Sequence, residues 1–363
     1  MALAKKHVAS IVIGVAVVAL IAFGAIAGRT KATKPSETFS GASAGPAGGG
    51  GSGTAAANEL KVIKTYTRRD CSLAPWLVTD KLGFFADEGV QIVFTGELQA
   101  PQQVPSIISG ANDTTDLHPN GLAVAINGGA KFKGVARAGI EPPPDFDPGL
   151  RHMWWFVNPE KYPGVKSLAD LKDIPGTLKF SIISTNSCSD FLANRILDRY
   201  GIPRDKIEWV TMPDVQAIQA LKQGLTDVGG VHPPFYKGMQ DADLLKVADS
   251  SEAGLGPEIA GLGYYFFTED FISKNPEAVR GFVRAITRGQ KWINANSERA
   301  RAWTEEAIGV PVSANHYYSE KLIIQNDQVT PWLDDLEQTG VIPKGKLKIS
   351  DIVIHDFADP SFS

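Results

Sequence analysis

The stretch "STNSCSDFL", Ser184 to Leu192, sets six small polar residues ahead of an apolar helical pattern, and one of the chain's two cysteines stands among them. Three kinds of chemistry fit this row. The first N–H groups of a helix lack partners within the helix, and with the helix dipole they favour an anion such as sulfonate, carboxylate or nitrate. Ser184, Thr185, Asn186, Ser187, Cys188 and Ser189 would then add short neutral donors. A thiol at a helix N-terminus also becomes more acidic, so Cys188 could act as a nucleophile with His118 or His232 as base. The plain alternative makes Ser187 an N-cap, with Asp190 three positions later imitating a capping box. One cap accounts for one residue and leaves the others, so ligand contact is the expected role.

Three further loops carry candidate groups. In "TRRDCSLAPW", Thr67 to Trp76, the guanidinium groups of Arg68 and Arg69 could pair with an oxyanion, or form a solvated turn with Asp70. Cys71 and Ser72, just before a helix, are better placed to contact a ligand. Trp76 either stacks on one or packs in the core. In "TTDLHPNG", His118 offers a hydrogen bond, although a lone histidine is more often structural, and Asn120 is a fair N-cap by itself. In "GGVHPPFYKG", Gly229 and Gly230 permit a close backbone approach, while His232 and Phe235 could close over a ligand. Cys71 and Cys188 lie far apart without CxxC, and no HxxxH occurs, so no structural zinc site is readable. The two thiols could still form one disulfide in an exported chain or face each other as soft metal ligands. No metal and no cofactor is expected.

The elements that must position these loops alternate along the chain. "LKVIKTY" and "VQIVFTG" read as strands on either side of "APWLVTDKLGFFADEG", a helix with Leu77, Phe84 and Phe85 near one face and Gly89 as its C-cap. "PQQVPSIISG" is a short helix opened by proline, and "NGLAVAINGGA" and "KFKGVARAG" supply a helix and a strand. Three consecutive prolines in "IEPPPDFDPGLRH", Ile140 to His152, interrupt the pattern. It restarts at "MWWFVN" and closes near "EAGLGPEIAGLG", before the strand-like "YYFFTEDF" and several helices. One of these, "NPEAVRGFVRAITRGQKWINAN", carries Ala278, Phe282, Ala285, Ile286 and Trp292 at helical spacing. Alternation of this kind predicts an α/β protein with mostly parallel sheets flanked by helices, in two units joined by two crossings. A ligand cleft would lie between the units at the carboxyl ends of strands. Trp154, Trp155, Tyr264 and Tyr265 flank the crossings and could cover an organic moiety, with at least half of them facing the core.

The bulk properties narrow the function. A chain of 363 residues with 36 basic and 40 acidic side chains is long enough for two lobes and too near neutral for a nucleic-acid partner. Lys5 and Lys6 precede an uncharged run, Val8 to Gly28, long enough for the roughly 20 residues of a spanning helix. "AIA" at Ala25–Ala27 also fits a signal-peptidase site. Residues 29–58, rich in Gly, Ala and Ser, form a flexible tether with a reach of roughly 30 Å. A tether suits an uncleaved anchor that retains an extracytoplasmic domain; cleavage would leave a secreted or periplasmic form.

The order of motifs resembles the bilobed substrate-binding proteins of ABC importers, in the nitrate, sulfonate and taurine family. "LGFFADEGVQIVF", "AINGGAKFKGVA", "VKSLADLKD", "DVQAIQALKQGLTDV" and "NPEAVRGFVRA" match family passages in sequence order, over roughly Leu60 to Leu336. The resemblance implies a type II periplasmic-binding-protein-like fold, with lobe 1 over 59–143, lobe 2 over 144–257, and a return to lobe 1 with C-terminal helices over 258–363. It also implies a monomer without catalysis that captures a small organic anion by lobe closure and delivers it to a membrane permease, and indirectly to its ATPase. The expected ligand-binding residues are Arg69, Cys71, Ser72, Trp76, His118, Asn120, Thr185, Asn186, Ser187, Cys188, Ser189, His232 and Phe235. In the family, residues before the helix at His118 commonly touch the ligand. Thiamin-precursor or other heterocycle binding is the alternative, and an enzyme using Cys188 is the alternative from another class. A fold relative makes the thiamin pyrimidine from its own histidine with a cysteine-rich motif, and nothing like that motif occurs here. "IEPPPDFDPGLRHMWW" departs from the family in length and aromatic content.

Overall fold

The computed structural model describes residues 59–70, 72–355 and 357. The apolar run Val8–Gly28, the tether and Cys71 therefore lie outside the described residues. Among the described residues, no helix is long and apolar enough to cross a membrane.

The strands are β1 (Lys61–Thr67), β2 (Val90–Glu97), β3 (Thr114–Leu117), β4 (Phe132–Arg137), β5 (Gly139–Ile140), β6 (Trp154–Val157), β7 (Leu178–Ile182), β8 (Ile207–Thr211), β9 (Val228–Val231), β10 (Leu245–Asp249), β11 (Tyr264–Thr268) and β12 (Tyr317–Tyr318). Of the helices, α1 (Leu73–Lys81), α2 (Phe84–Asp87), α3 (Ala100–Ile108) and α4 (Pro119–Asn127) follow the first strands. In the middle of the chain come α5 (Cys188–Tyr200), α6 (Asp214–Lys222) and α7 (Tyr236–Asp241). The C-terminal third holds α8 (Glu269–Lys274), α9 (Pro276–Ala295), α10 (Ser297–Ile308), α11 (Asn326–Gln338) and α12 (Ile349–Ile352). The single helix expected over "APWLVTDKLGFFADEG" is two, because Gly83 takes a left-handed conformation, φ +74°, that turns the chain between α1 and α2.

The middle of the chain builds one five-stranded sheet in the order β10-β6-β9-β7-β8. Strands β7, β8, β9 and β10 share a direction and β6 alone is reversed. The flanking segments build β1-β2, parallel, and β3-β11-β4, in which β11 is antiparallel to both neighbours. The middle sheet is thus mixed, and on each side one strand, β6 or β11, runs antiparallel to both of its neighbours. Those reversed strands, β6 and β11, begin just after the two crossings.

Local sequence explains the packing. The glycine pair of β9, read above as room for a ligand, instead admits core side chains. A Cβ on Gly229 would lie 2.5 Å from Leu221 Cδ1, and one on Gly230 would lie 3.0 Å from Trp155 Nε1. The four aromatics at the crossings are buried. Trp154 stacks on Tyr236 with centroids 4.1 Å apart, and Tyr264 and Tyr265 fill the core on either face of β11. Phe282, Ala285 and Ile286 of α9 are fully buried, while Trp292 stacks on Trp303 of α10.

The first crossing is ordered by a buried carboxylate. Glu141 accepts from the His152 N–H (3.0 Å), Ser250 Oγ (2.6 Å) and the Arg151 guanidinium (3.3 Å). Arg151 in turn donates to the carbonyls of Pro142, Pro143 and Pro144. Planar guanidinium, with its fan of donors, suits a turn of three consecutive prolines. Removing the cation from such a pair strands a buried charge. Arg151→Met is therefore expected to destabilise the fold by about 3–5 kcal/mol in urea denaturation. A loss of only about 0.5 kcal/mol, as for an ordinary surface substitution, would show that the crossing is held by something else.

Candidate functional site

A cavity of about 550 Å³ opens between the strand-end loops of the two sheet systems. Its walls include Arg68, Asp70 and Ser72 after β1, Asp116 to His118 at the end of β3, Ile183 to Cys188 after β7, and His232 after β9. Ala100, Pro101, Val104, Val124 and Ala125 of α3 and α4 make one apolar side.

Of the residues expected from sequence, Ser72, His118, Thr185, Asn186, Ser187, Cys188 and His232 line this cavity. Others lie elsewhere. Arg69 is two-thirds exposed and pairs with Glu97. Trp76 packs in the core against Tyr265 and Phe282. Phe235 is buried in the cluster around Trp154 and Tyr236. Asn120 spends its amide on the Ser187 carbonyl at 2.8 Å, tying the start of α4 to that of α5. Ser189 is fully buried beneath the helix start. Arg68 reaches the cavity, but it pairs with Asp116 and, at 3.2 Å, with Asp70.

The start of α5 departs from an anion grip. The N–H groups of Asn186 and Ser187 donate to the Asp190 carboxylate at 2.7 and 2.8 Å, and Ser187 Oγ accepts from the Ser189 N–H. The helix end carries its own anion, as in a capping box. Asn186 makes the bend possible at φ +54°, a left-handed conformation that asparagine tolerates. Burial pushes the Asp190 carboxyl up to about 6, against those N–H bonds.

Beside this helix start the chain gathers four of its six histidines. His232 Nε2 lies 3.2 Å from Cys188 Sγ, and its Nδ1 lies 2.6 Å from Asp214 Oδ2. His118 Nδ1 donates to the Leu262 carbonyl at 2.7 Å, which turns the other side of the ring toward Cys188. His152 lies edge-on to His118, His232 and His316, with centroids 5.4, 5.6 and 4.2 Å away. Both His118 and His232 precede proline, which holds their backbones extended at the point where a strand gives way to a helix. His316 enters just before β12, whose pairing with β5 brings it to Gly139. Sequence reasoning passed over His152, His316 and Asp214. Their signal was position, since all four histidines sit within two residues of a strand end.

Electrostatics follow from that packing. Burial by itself would push the Cys188 thiol up, but the charges of His118 and His232 and their hydrogen bonds outweigh it and bring it down to about 6. Burial would likewise lower His232, yet Asp214 and Cys188 raise it well above the usual histidine value. His152 and His316, buried and beside other imidazoles, fall well below it. The thiol's lowered value means that thiolate persists down to about pH 6 and is lost below it. Ultraviolet thiolate absorbance, taken as the difference from Cys188→Ser, should titrate near pH 6. In His232→Gln the midpoint should move toward the ordinary value of about 8.5. An unmoved midpoint would show that His232 does not hold the thiolate.

Comparison with known proteins gives a consistent picture. A family model described as NMT1/THI5 like matches residues 71–300. A Brucella abortus (strain 2308) protein named as a candidate binding protein is 22% identical over 279 residues, 74% of this chain and 79% of its own length. The periplasmic aliphatic sulphonate-binding protein SsuA of Escherichia coli superposes with a TM-score of 0.62 at 17% identity, covering 82% of this chain and 92% of that one. The periplasmic nitrate-binding protein NrtA of Synechocystis PCC 6803 gives 0.67 at 13% identity, over 82% and 87%. The chain has the periplasmic-binding-protein fold, and it belongs to the NMT1/THI5-like family.

Proposed function

We propose that the protein is the extracytoplasmic solute-binding component of an ABC importer, and that it captures a small organic solute by closing two lobes over the cavity. One observation carries this reading: a cavity of about 550 Å³ walled by strand-end loops from both sheet systems. That volume suits a small organic molecule, and strand-end loops of α/β sheets are where such ligands sit. The lobes would be the middle sheet, within residues 144–257, and the flanking sheets, within 59–143 and 258–363. The N-terminal apolar run and tether would hold the domain near a membrane permease, through which an ATPase drives uptake.

The chemistry of the walls bears on the solute. An organic anion would find Arg68 already shared by two carboxylates, and the α5 dipole already met by Asp190. Apolar walls on α3 and α4, facing imidazole, hydroxyl and carboxylate groups, favour an organic body with polar edges, such as a heterocycle, over a bare sulfonate or nitrate. A thermal-shift screen of sulfonates, taurine, nitrate, aromatic acids and thiamin-pyrimidine precursors tests this. A ligand present at about 100 Kd adds about 2.7 kcal/mol of stability. Val124→Trp, which fills the cavity from α4, should abolish the shift. If no compound moves the midpoint, the solute reading falls.

A second reading rests on the Cys188–His232–Asp214 relay, whose geometry is that of an activated thiol nucleophile. It predicts a turnover of the bound solute that Cys188→Ser abolishes. Solute binding with no turnover in the unmodified protein would remove it.

A further inference from the structure

We propose that His118, His152 and Cys188 form a site for one transition-metal ion of the zinc, cobalt or copper class, with an open coordination position facing the cavity. The donor atoms of these three residues lie within 4.8 Å of one another. Small side-chain rotations bring such a set onto bonds of about 2.0–2.3 Å. Imidazole with thiolate selects this class over magnesium or calcium.

Three observations carry the assignment. First, neither ring nitrogen of His152 has a hydrogen-bond partner among the described residues, although the side chain is buried. A buried imidazole left without partners is an uncompensated desolvation, and a metal ion would take its lone pair. Second, the neighbouring rings are held as metal-binding histidines are held elsewhere. His118 gives its Nδ1 hydrogen to a backbone carbonyl and keeps Nε2 available, and His232, steadied by Asp214, supports the Cys188 thiolate. Third, open space adjoins the donors. A second cavity of about 30 Å³ lies against two of them, His118 and His152, and against His316, while Cys188 borders the large cavity. Gly261 leaves room for the His152 ring, because a Cβ there would stand 2.5 Å from its Nδ1.

His118 and Cys188 also line the large cavity, so a vacant coordination position would meet a solute bearing an oxygen or nitrogen donor. The meeting of solute and ion rests on the solute-binding reading; the ion site does not.

The test is a cobalt(II) titration of full-length, tag-free protein after chelator treatment, followed by absorption spectroscopy without solute. The expected result is uptake of one equivalent, with a thiolate-to-cobalt charge-transfer band and the d–d absorption of four-coordinate cobalt. Cys188→Ser should lose the charge-transfer band. His152→Ala should weaken uptake at least about 100-fold, beyond the 10–100-fold cost of losing an outer partner. His316→Ala should keep the band, and circular dichroism checks that each variant folds. Should Cys188→Ser not fold, zinc should protect Cys188 of the unaltered protein from alkylation, read by mass spectrometry. No stoichiometric uptake, uptake unchanged in His152→Ala, or dependence on His316 without Cys188 would overturn the assignment. Cobalt uptake with no solute-induced thermal shift leaves the ion site standing and removes the solute reading alone.

Discussion

The geometry of this protein depends on a buried carboxylate at the first crossing. Glu141 gathers the His152 N–H, Ser250 Oγ and the Arg151 guanidinium, and Arg151 holds the three proline carbonyls. Ser250 also accepts from the Met153 N–H. One carboxylate therefore ties the first crossing to the end of β10. In a low-dielectric setting such a network is stiff while complete and unstable when one member is lost. His152 inherits its place from this arrangement, and the other imidazoles pack around it.

A second constraint is electrostatic. The chain answers its own positive sites before any ligand arrives: Asp190 meets the start of α5, and Asp70 and Asp116 share Arg68. What remains facing the cavity is softer: imidazole, thiolate and hydroxyl groups beside apolar helix faces. The Cys188–His232–Asp214 chain is common to ion binding and to thiol nucleophilicity, because both need a thiolate kept charged and an imidazole kept oriented. Geometry of this kind narrows the chemistry to electron-pair donation by sulfur and nitrogen.

Much of the fold was legible from periodicity. Strands such as β1 and β2, and the long α9, announce themselves because a half-buried element must repeat its apolar residues at its own geometric period. Strand direction was less legible. Reversal of β6 and β11 depends on where each crossing re-enters its sheet, and residue type does not record that. The cavity's lining was read in part. "LHP" and "VHP" are visible signals, since proline fixes the preceding backbone and the strand end sets the location. Trp76 and Phe235 misled because an aromatic in a loop sequence has the same local signature whether it faces a cavity or a core.

The α/β alternation, the break at the proline-rich crossing and the loops in which chemistry concentrates are already written in residue order. These are local properties, set by backbone conformations and hydrophobic spacing within a dozen residues. It took the folded chain for Asp190 to answer the helix start in "STNSCSDFL", and for His118, His152, His232 and His316 to cluster, with His118 and His232 against Cys188. Those four histidines come from loops distant in the chain, and their meeting follows from how the two sheet systems are folded together. Coulombic and hydrogen-bond interactions act through space, so the low thiol value of Cys188 and the unpartnered ring of His152 exist only once that folding has brought the loops together.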